Sequence, residues 1–203
     1  ASGENIPADA VIIAAGLGGR KLTMNLLKYA GSEPKGFQIG CRIEHPQEMV
    51  DRKQYRCSPR PPTLGAAEYN LAMSPTPSKP GASTFCMCPG GTVIPAPAVS
   101  GELSSNGMSN RARDGEFANS TIVVTPDRTK FKTHAGAFGF LSALGRKTFY
   151  AGGEDYGFPA QDADAFLTGN VRLLHKKSSV QTQLVPADIS SLLPQEITAT
   201  IRR

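Results

Sequence analysis

Apolar and polar residues alternate strictly over residues 37–44, and this pattern constrains the fold more than any other. The apolar or thiol positions are Phe37, Ile39, Cys41 and Ile43, and the intervening positions are Gln38, Gly40, Arg42 and Glu44. Successive side chains of a β-strand point to opposite faces, so a period of two predicts a strand with one buried face and one polar face. His45 and Pro46 end the strand, and Pro46 is suited to open a short helix over 47–53.

Apolar spacing and turn residues predict the remaining elements. Twenty-one glycines and sixteen prolines imply many turns and favour a loop-rich, strand-containing fold over a helical bundle. The predicted elements are a buried parallel strand over 10–16, strands over 84–88, 92–95, 102–105 and 120–125, and helices over 22–30 (capped by Gly31), 138–152, 162–167 and from Pro194 onwards. Residues 58–82 are predicted to form a long surface excursion.

Two turns are expected within this pattern. Pro89-Gly90-Gly91 is predicted to join 84–88 and 92–95 in a hairpin, and Asn106-Gly107 is predicted to end the strand over 102–105. Together the elements predict an α+β fold with a mixed, mostly antiparallel sheet and a few helices on one side.

Charge and cysteine content limit the classes of partner and compartment. The net charge is +5 and the isoelectric point is about 9.1, but the basic residues are scattered and do not interleave with aromatics, which disfavours nucleic-acid binding. No run approaches the ~20 apolar residues of a membrane-spanning helix, and the short apolar run near residue 11 lacks the basic leader of a signal peptide. Four cysteines without secretory context indicate reduced thiols, so a cytoplasmic location is expected.

Two thiols, Cys86 and Cys88, are separated by one residue in a predicted strand. On a regular strand both point to one face, while Phe85 and Met87 point to the other. Two cysteines supply only two of the four ligands of a structural zinc site, and no second pair has zinc-finger spacing, so no metal site is predicted. A redox dithiol and buried structural thiols both stay open, and the strain of a disulfide between such close strand positions favours the structural alternative.

The glycine turns and one arginine are candidates for binding. Backbone amides at Pro89-Gly90-Gly91 and Asn106-Gly107 could face an anion or a ring edge, with ordinary turns as the simpler interpretation. Arg113 could hold a substrate carboxylate through two parallel hydrogen bonds. A surface ion pair of Arg113 with Asp114 or Glu116 is the alternative.

A glycine-rich loop follows the first apolar run. Gly16-Leu17-Gly18-Gly19 lies between a predicted strand and a predicted helix, where dinucleotide-binding loops are found. However, Lys21 occupies the third glycine position of the G-x-G-x-x-G fingerprint, and Glu44 lies further along the chain than the acidic residue that binds the ribose. The residues alone therefore favour a tight strand-to-helix turn.

Taken together, these segments resemble the bacterial FAD-dependent dehydrogenases grouped as uncharacterised NAD(P)/FAD-dependent oxidoreductases. The most specific runs are FQIGCRIEHPQ at residues 37–47 and TFCMCPGG at residues 84–91. Further similar runs lie at 8–16, 64–69, 106–109, 113–120, 159–161 and 188–194, so the resemblance spans nearly the whole chain.

The resemblance implies a domain organisation. Residues 1–31 resemble the remnant of a strand and helix of the FAD domain, where Ala15 and Gly16 approach the cofactor, and residues 32–203 resemble the inserted substrate or cap domain. The phosphate-binding G-x-G-x-x-G segment of the family has no counterpart here, and the residues after Gly16 depart from the family pattern. The chain is therefore expected to be a middle fragment, catalytically silent and without FAD by itself.

The resemblance also implies the site and the partners. The residues expected to face substrate or flavin are Cys86, Cys88, Gly90, Gly91, Asn106, Gly107, Met108, Ser109 and Arg113. FAD in the full-length parent would carry the hydride chemistry, with NAD(P) as a further candidate cofactor, while this domain orients a small organic substrate and excludes water. The remainder of the FAD domain is the expected protein partner. A stand-alone ligand-binding or oligomerisation module without flavin is the alternative, and a homo-oligomer is compatible with the sequence.

Overall fold

The computed structural model describes residues 3–29, 32–172 and 177–203. The fold is α+β and mostly antiparallel, as predicted. The strands are β1 (Ile39–Pro46), β2 (Ala72–Met73), β3 (Ala82–Cys88), β4 (Gly91–Pro95), β5 (Ser105–Ser109), β6 (Phe117–Val124), β7 (Phe158–Ala160) and β8 (Leu184–Pro186). The helices are α1 (Arg20–Leu26), α2 (Gln47–Tyr55), α3 (His134–Ala151), α4 (Ala163–Thr168), α5 (Ile189–Leu192) and α6 (Gln195–Ile201), with 3-10 turns at Leu27–Tyr29 and Arg128–Lys130.

A four-stranded antiparallel sheet in the order β1-β6-β3-β2 forms the centre of the structure. One face of the sheet is apolar, where Ile39 and Val124 pack against Ile197 of α6 in the main core. Ile197 and Val124 are fully buried. Leu141 and Leu144 of α3 extend this core, because they lie on the same side of their helix at a spacing of three residues. The opposite face carries the polar residues Arg42, Glu44, Asn119 and Thr121, together with Phe85 and Val123.

Two smaller sheets complete the fold. Strands β4 and β5 form an antiparallel pair, and β7 and β8 form a parallel pair. Val93, Leu103 and Phe158 make a second core cluster between these pairs. Among the described residues, every helix is too short or too polar to cross a membrane.

The N-terminal helix is joined to the rest of the chain by a charged contact. Arg20 of α1 forms an ion pair with Glu102 at 2.8 Å and also donates a hydrogen bond to Ser142 of α3 at 2.5 Å. The proposed domain boundary between residues 31 and 32 stays a prediction, and Ala30 and Gly31, the predicted end and cap of the first helix, lie outside the described residues.

Most elements predicted from local patterns are confirmed. The alternating run 37–44 largely coincides with β1, and α2 begins directly after Pro46. The strand over 120–125 belongs to β6, and the helices over 22–30, 138–152 and 162–167 and after Pro194 correspond to α1, α3, α4 and α6. Residues 58–82 are mostly irregular, as predicted, although Ala67 is buried.

The predicted buried strand over 10–16 is wrong in this structure. These residues belong to no sheet, and the side chains of Val11 and Ile12 are 80% and 92% exposed. A parallel strand of this composition is buried only between neighbouring strands and covering helices. No strand within 3–29, 32–172 and 177–203 pairs with this run.

The predicted hairpin and the predicted Asn106-Gly107 turn are also wrong. Strand β3 pairs with β6 and β2, whereas β4 pairs with β5, so Pro89-Gly90 joins two different sheets. Asn106 and Gly107 lie inside β5, opposite Ile94 and Val93. The chain reverses instead around Gly101, which has a φ of +76°.

Candidate functional site

The two most specific sequence runs meet at Gln47. This residue is 3% exposed, and its side-chain oxygen accepts a hydrogen bond from the Gly90 amide at 2.8 Å. Its side-chain nitrogen donates to the Asp51 carboxylate at 2.8 Å and to the Ala67 carbonyl at 2.9 Å. Pro46, with φ near −57°, starts α2 and thereby places Gln47 at the first helical position. The buried side-chain amide of Gln47 therefore links the run 37–47 to the run 84–91 by a hydrogen bond.

Asp51 anchors this junction from within α2. Its carboxylate accepts hydrogen bonds from the Ala67 amide at 2.8 Å and from Arg60 at 2.5 Å, in addition to the one from Gln47. Burial raises the pKa of the Asp51 carboxyl, but these hydrogen bonds outweigh burial and leave the pKa below its ordinary value. Asp51 is thus ionised at neutral pH and holds Gln47 in a fixed orientation.

The Gly90-Gly91 turn fits because neither residue has a side chain. Gly90 has a φ of +54°, and a Cβ there would lie 2.2 Å from the Arg113 carbonyl oxygen. A Cβ on Gly91 would lie 2.8 Å from the Met108 carbonyl oxygen. The Ser109 hydroxyl donates to the Pro89 carbonyl at 2.7 Å. The turn is therefore packed between β5 and the 113–115 loop.

The predicted alternation of Cys86 and Cys88 is wrong because β3 contains a bulge. Cys86 has a φ of +49°, and the register against β6 shifts between Phe85 and Cys88. Phe85 pairs with Thr121 and Cys88 with Asn119, so Phe85 and Cys88 share a face. Cys86 is exposed, Cys88 is half-buried, and the Cys88 thiol donates to the Cys86 carbonyl at 3.4 Å.

Four residues converge on the polar face of the central sheet: Arg42, Cys88, Gly107 and Asn119, here called the Arg42 cluster. Arg42 Nη1 donates to Asn119 Oδ1 at 2.7 Å, and Asn119 is fully buried. A Cβ on Gly107 would lie 2.2 Å from Asn119 Oδ1 and 2.7 Å from both Arg42 Nη1 and Cys88 Sγ. Gly107 is therefore required for close approach and not for a turn.

The charge of this cluster resides on Arg42. Burial lowers the pKa of the guanidinium, while the neighbouring thiols of Cys88 and Cys86 oppose that effect. Burial raises the pKa of the Cys88 thiol above 9.0, with Arg42 acting in the opposite direction. At neutral pH the cluster therefore presents a cation beside a neutral thiol and a neutral amide. No group of His, Cys, Asp and Glu side chains in the described part of the chain is arranged to hold a metal ion.

The other predicted site residues lie around this cluster. Ser109, Gly90 and Gly91 adjoin it through the turn contacts above. Asn106 and Met108 flank Gly107 on β5 and are exposed, so their side chains point away from Asn119. Arg113 lies 3.7 Å from the Glu68 carboxylate and not against Asp114 or Glu116; both members of the pair are largely exposed.

Ala15 and Gly16 lie in a tight turn that leads into α1. The Gly19 amide donates to the Ala15 carbonyl at 3.1 Å, and Gly16 has a φ of +59°. A phosphate-binding loop of a dinucleotide fold requires a preceding strand and free amides at the helix start. The described residues before α1 form no strand, so by themselves they do not make this arrangement for the phosphates of FAD. The role of Ala15 and Gly16 stays a prediction.

Comparison with known proteins identifies the family. Residues 36–203 match the family described as FAD-dependent protein, C-terminal domain-like. The chain belongs to this family. It is also similar to an uncharacterised protein of Clostridium beijerinckii, with 39% identity over 173 residues, which are 84% of this chain and 32% of that protein. The chain thus spans about a third of the length of this relative.

The family assignment confirms the flavoprotein part of the resemblance. Both runs that meet at Gln47 fall within the matched range. The finer expectation, a dehydrogenase of small organic substrates, stays a prediction.

Three residues of this C-terminal domain-like region were not predicted as site residues: Gln47, Arg42 and Asn119. Arg42 stands at the centre of the polar face of the alternating run, which was the available signal. For Asn119 and Gln47 the sequence offered no such signal, because the contacts that place them, Asn119 with Arg42 and Gln47 with Gly90, join residues far apart in sequence.

Proposed function

We propose that this chain is the substrate-side domain of a longer FAD-dependent oxidoreductase. The Arg42 cluster and the Gly90-Gly91 turn would form one wall of the site beside the flavin. The observation that carries the proposal is the junction at Gln47, which joins the two runs on which the resemblance chiefly rests, both within the residues matched by the FAD-dependent family. Bound FAD supplies the hydride chemistry, and the residues of this chain bind and orient the substrate and exclude water.

The chemistry of the wall supports a binding role. The Cys88 thiol has a raised pKa and stays protonated at neutral pH, which makes it a poor nucleophile. Arg42 and Asn119 supply a cation and a neutral amide, and Gly107 packs directly on both. Such a set of donors, fixed by a sheet, suits recognition and orientation of a small molecule.

The N-terminal run supports a partner for this chain. Val11, Ile12 and Ile13 are exposed, and the run over 10–16 is unpaired in the described structure; the matched stretch is 32% of the similar protein's length. In the proposed assembly this run pairs with strands in the remainder of the FAD domain, which also holds the FAD phosphates. That pairing would bury side chains such as Val11 and Ile12, whose burial contributes about 1.5–3 kcal/mol each.

The test compares the purified 203-residue chain with the complete protein from the same gene. The expected result is a colourless chain and a yellow complete protein with FAD in stoichiometric amounts, whose absorbance bleaches on reduction by its substrate. A complete protein without flavin would overturn the proposed function. A 203-residue chain that retains stoichiometric FAD would show that the remainder of the FAD domain is not needed.

A further inference from the structure

We infer that Arg42 and Asn119 bind a carboxylate group, so that the substrate of this site is a small organic acid. The inference rests on the proposed function and names the substrate class of the same site.

Arg42 has no counter-ion among the described residues. Its one hydrogen bond to a described residue goes from Nη1 to the neutral amide oxygen of Asn119. Arg20 and Arg60, by contrast, each lie against a carboxylate, at 2.8 Å and 2.5 Å. A half-buried guanidinium without an anionic partner is costly, because desolvation is not offset by an opposite charge. The arrangement is explained if the missing anion belongs to a ligand.

The acid closest to Arg42 along β1 is already engaged. Glu44 lies two residues further on the same face of the strand. Its carboxylate accepts hydrogen bonds from the Ser178 hydroxyl at 2.6 Å and from the Ser179 amide at 3.1 Å. Glu44 therefore holds the 178–179 segment, and Arg42 has no charge partner in the part of the chain that the structure describes.

Two donors of the cluster are buried without a partner. Arg42 Nε and Asn119 Nδ2 are both inaccessible and make no hydrogen bond within the described residues. The other two such donors there, Arg20 Nε and Arg202 Nη2, belong to side chains that already bind a carboxylate or a carbonyl through another nitrogen. Most buried polar groups are hydrogen-bonded, so two orphans on two joined side chains point to a missing acceptor. Rotating the Asn119 amide would not remove the orphan, because it would turn the NH₂ group towards a guanidinium donor. A carboxylate has two acceptor oxygens and a negative charge, which match two donors and one cation.

The surroundings favour a carboxylate on a small organic molecule. Phe85 lies on the same face and in the same cross-strand row as Arg42, because both pair with Thr121 of β6, and it is 58% exposed. The exposed Cys86 follows it at the bulge. An exposed apolar ring thus lies on the same face as the cation, across Thr121 from it, which suits an acid with an organic body.

Arg113, the cation predicted from sequence to hold a carboxylate, is less suited to this role. Its side chain is 51% exposed and already lies 3.7 Å from the Glu68 carboxylate. An exposed ion pair of this kind is screened by water and leaves no orphaned donors.

The test uses the ¹⁵N-labelled 203-residue chain, with simple carboxylic acids as probes of the site. Side-chain spectra follow the Arg42 Nε–H and Asn119 Nδ2–H₂ resonances during titration with acetate and succinate, with acetamide and succinamide as neutral controls. Both resonances are expected to shift saturably with the acids and not with the amides. Arg42→Gln is expected to weaken binding about tenfold or more. Arg113→Gln and the matched exposed control Arg111→Gln are expected to leave it unchanged.

Other outcomes would overturn the inference. These are no saturable shift with either acid, equal shifts with the amides, or a loss of binding in Arg113→Gln instead of Arg42→Gln. If Arg42→Gln does not fold, Arg42→Lys keeps the charge but loses the planar fork, and unchanged affinity in that variant would also contradict carboxylate recognition by the fork.

A riboflavin titration separates this inference from the proposed function. If riboflavin shifts the two resonances and the acids do not, the cluster faces the flavin edge; the carboxylate assignment is then wrong while the proposed function stands. If the acids bind but the complete protein lacks flavin, the site is a carboxylate site outside a flavoenzyme.

Discussion

Replacing Gln47 by alanine removes the link between the two sequence runs. The Gly90 amide and the Ala67 carbonyl each lose a buried partner, and Asp51 loses one of its three donors. A lost hydrogen bond costs about 0.5–1.5 kcal/mol, and a buried group left unpaired costs about 1–3 kcal/mol. We therefore expect Gln47→Ala to lower the free energy of unfolding by about 3–5 kcal/mol.

Urea-induced unfolding at neutral pH, followed by far-UV circular dichroism, measures this loss. Gln54→Ala is the matched control, because Gln54 lies in the same helix and is exposed. Its effect is expected to stay within about 0.5 kcal/mol. If the free energies of unfolding of Gln47→Ala and Gln54→Ala differed by less than about 1 kcal/mol, the hydrogen bonds of Gln47 would not stabilise the Gly90 turn. That result would contradict the proposed link between the two runs.

Two further perturbations test the packing and the electrostatics. Gly107→Ala places a Cβ 2.2 Å from Asn119 Oδ1 and is expected to lower the free energy of unfolding by about 1–3 kcal/mol, measured by thermal unfolding. The control Gly139→Ala, in open space on α3, is expected to be neutral or stabilising in that assay. Glu102→Gln removes the negative charge beside the largely buried Arg20 guanidinium but keeps one acceptor oxygen, and it is expected to cost about 3 kcal/mol in urea unfolding at neutral pH. Burial raises the pKa of Glu102, but hydrogen bonds from Arg20 and other groups outweigh it and hold the pKa below 4.5. That stabilisation is present above pH 4.5 and is lost as pH falls through the folded-state pKa, so the difference between wild type and Glu102→Gln should shrink in acid; a constant difference would refute this assignment.

The elements that were predicted correctly are those coded by local spacing. The alternation over 37–44 and the proline at 46 are enough to specify β1 and the start of α2. The helical spacing over 138–148 specifies α3 in the same way. In each case the apolar face and the end signal lie within the element itself, so no distant contact is needed to identify it.

The turn predicted at Asn106-Gly107 was wrong because this glycine serves close packing and not a chain reversal. Gly107 follows Asn106, a typical turn dipeptide, but it lies in β5 because only a residue without a Cβ fits against Asn119 and Arg42. The bulge at Cys86 could not be predicted either, because no sequence pattern indicates a positive φ at a cysteine. Both features depend on the register of β3 and β5 against distant strands.

The candidate site was predicted only in part, for the same reason. The thiols and glycines of the run 84–91 were placed in it from the resemblance, and the structure brings Cys88 and Gly107 together with Arg42 and Asn119. The carboxylate-binding cation was predicted to be Arg113, whereas Arg42 was interpreted only as a polar position of the alternating strand. The pairing of β1 with β6 is what joins Arg42 to Asn119.

The most direct test of the proposed wall beside the flavin is the alkylation rate of Cys86 in the complete protein. Iodoacetamide labelling, read by mass spectrometry, is compared between the FAD-bound protein and the same protein after FAD is removed. Cys57, which lies after α2, serves as the internal reference for general loosening of the fold. The expected result is severalfold slower labelling of Cys86 with FAD bound and an unchanged rate at Cys57. Equal rates at Cys86 in the two forms would contradict a position of the 84–91 run at the flavin site.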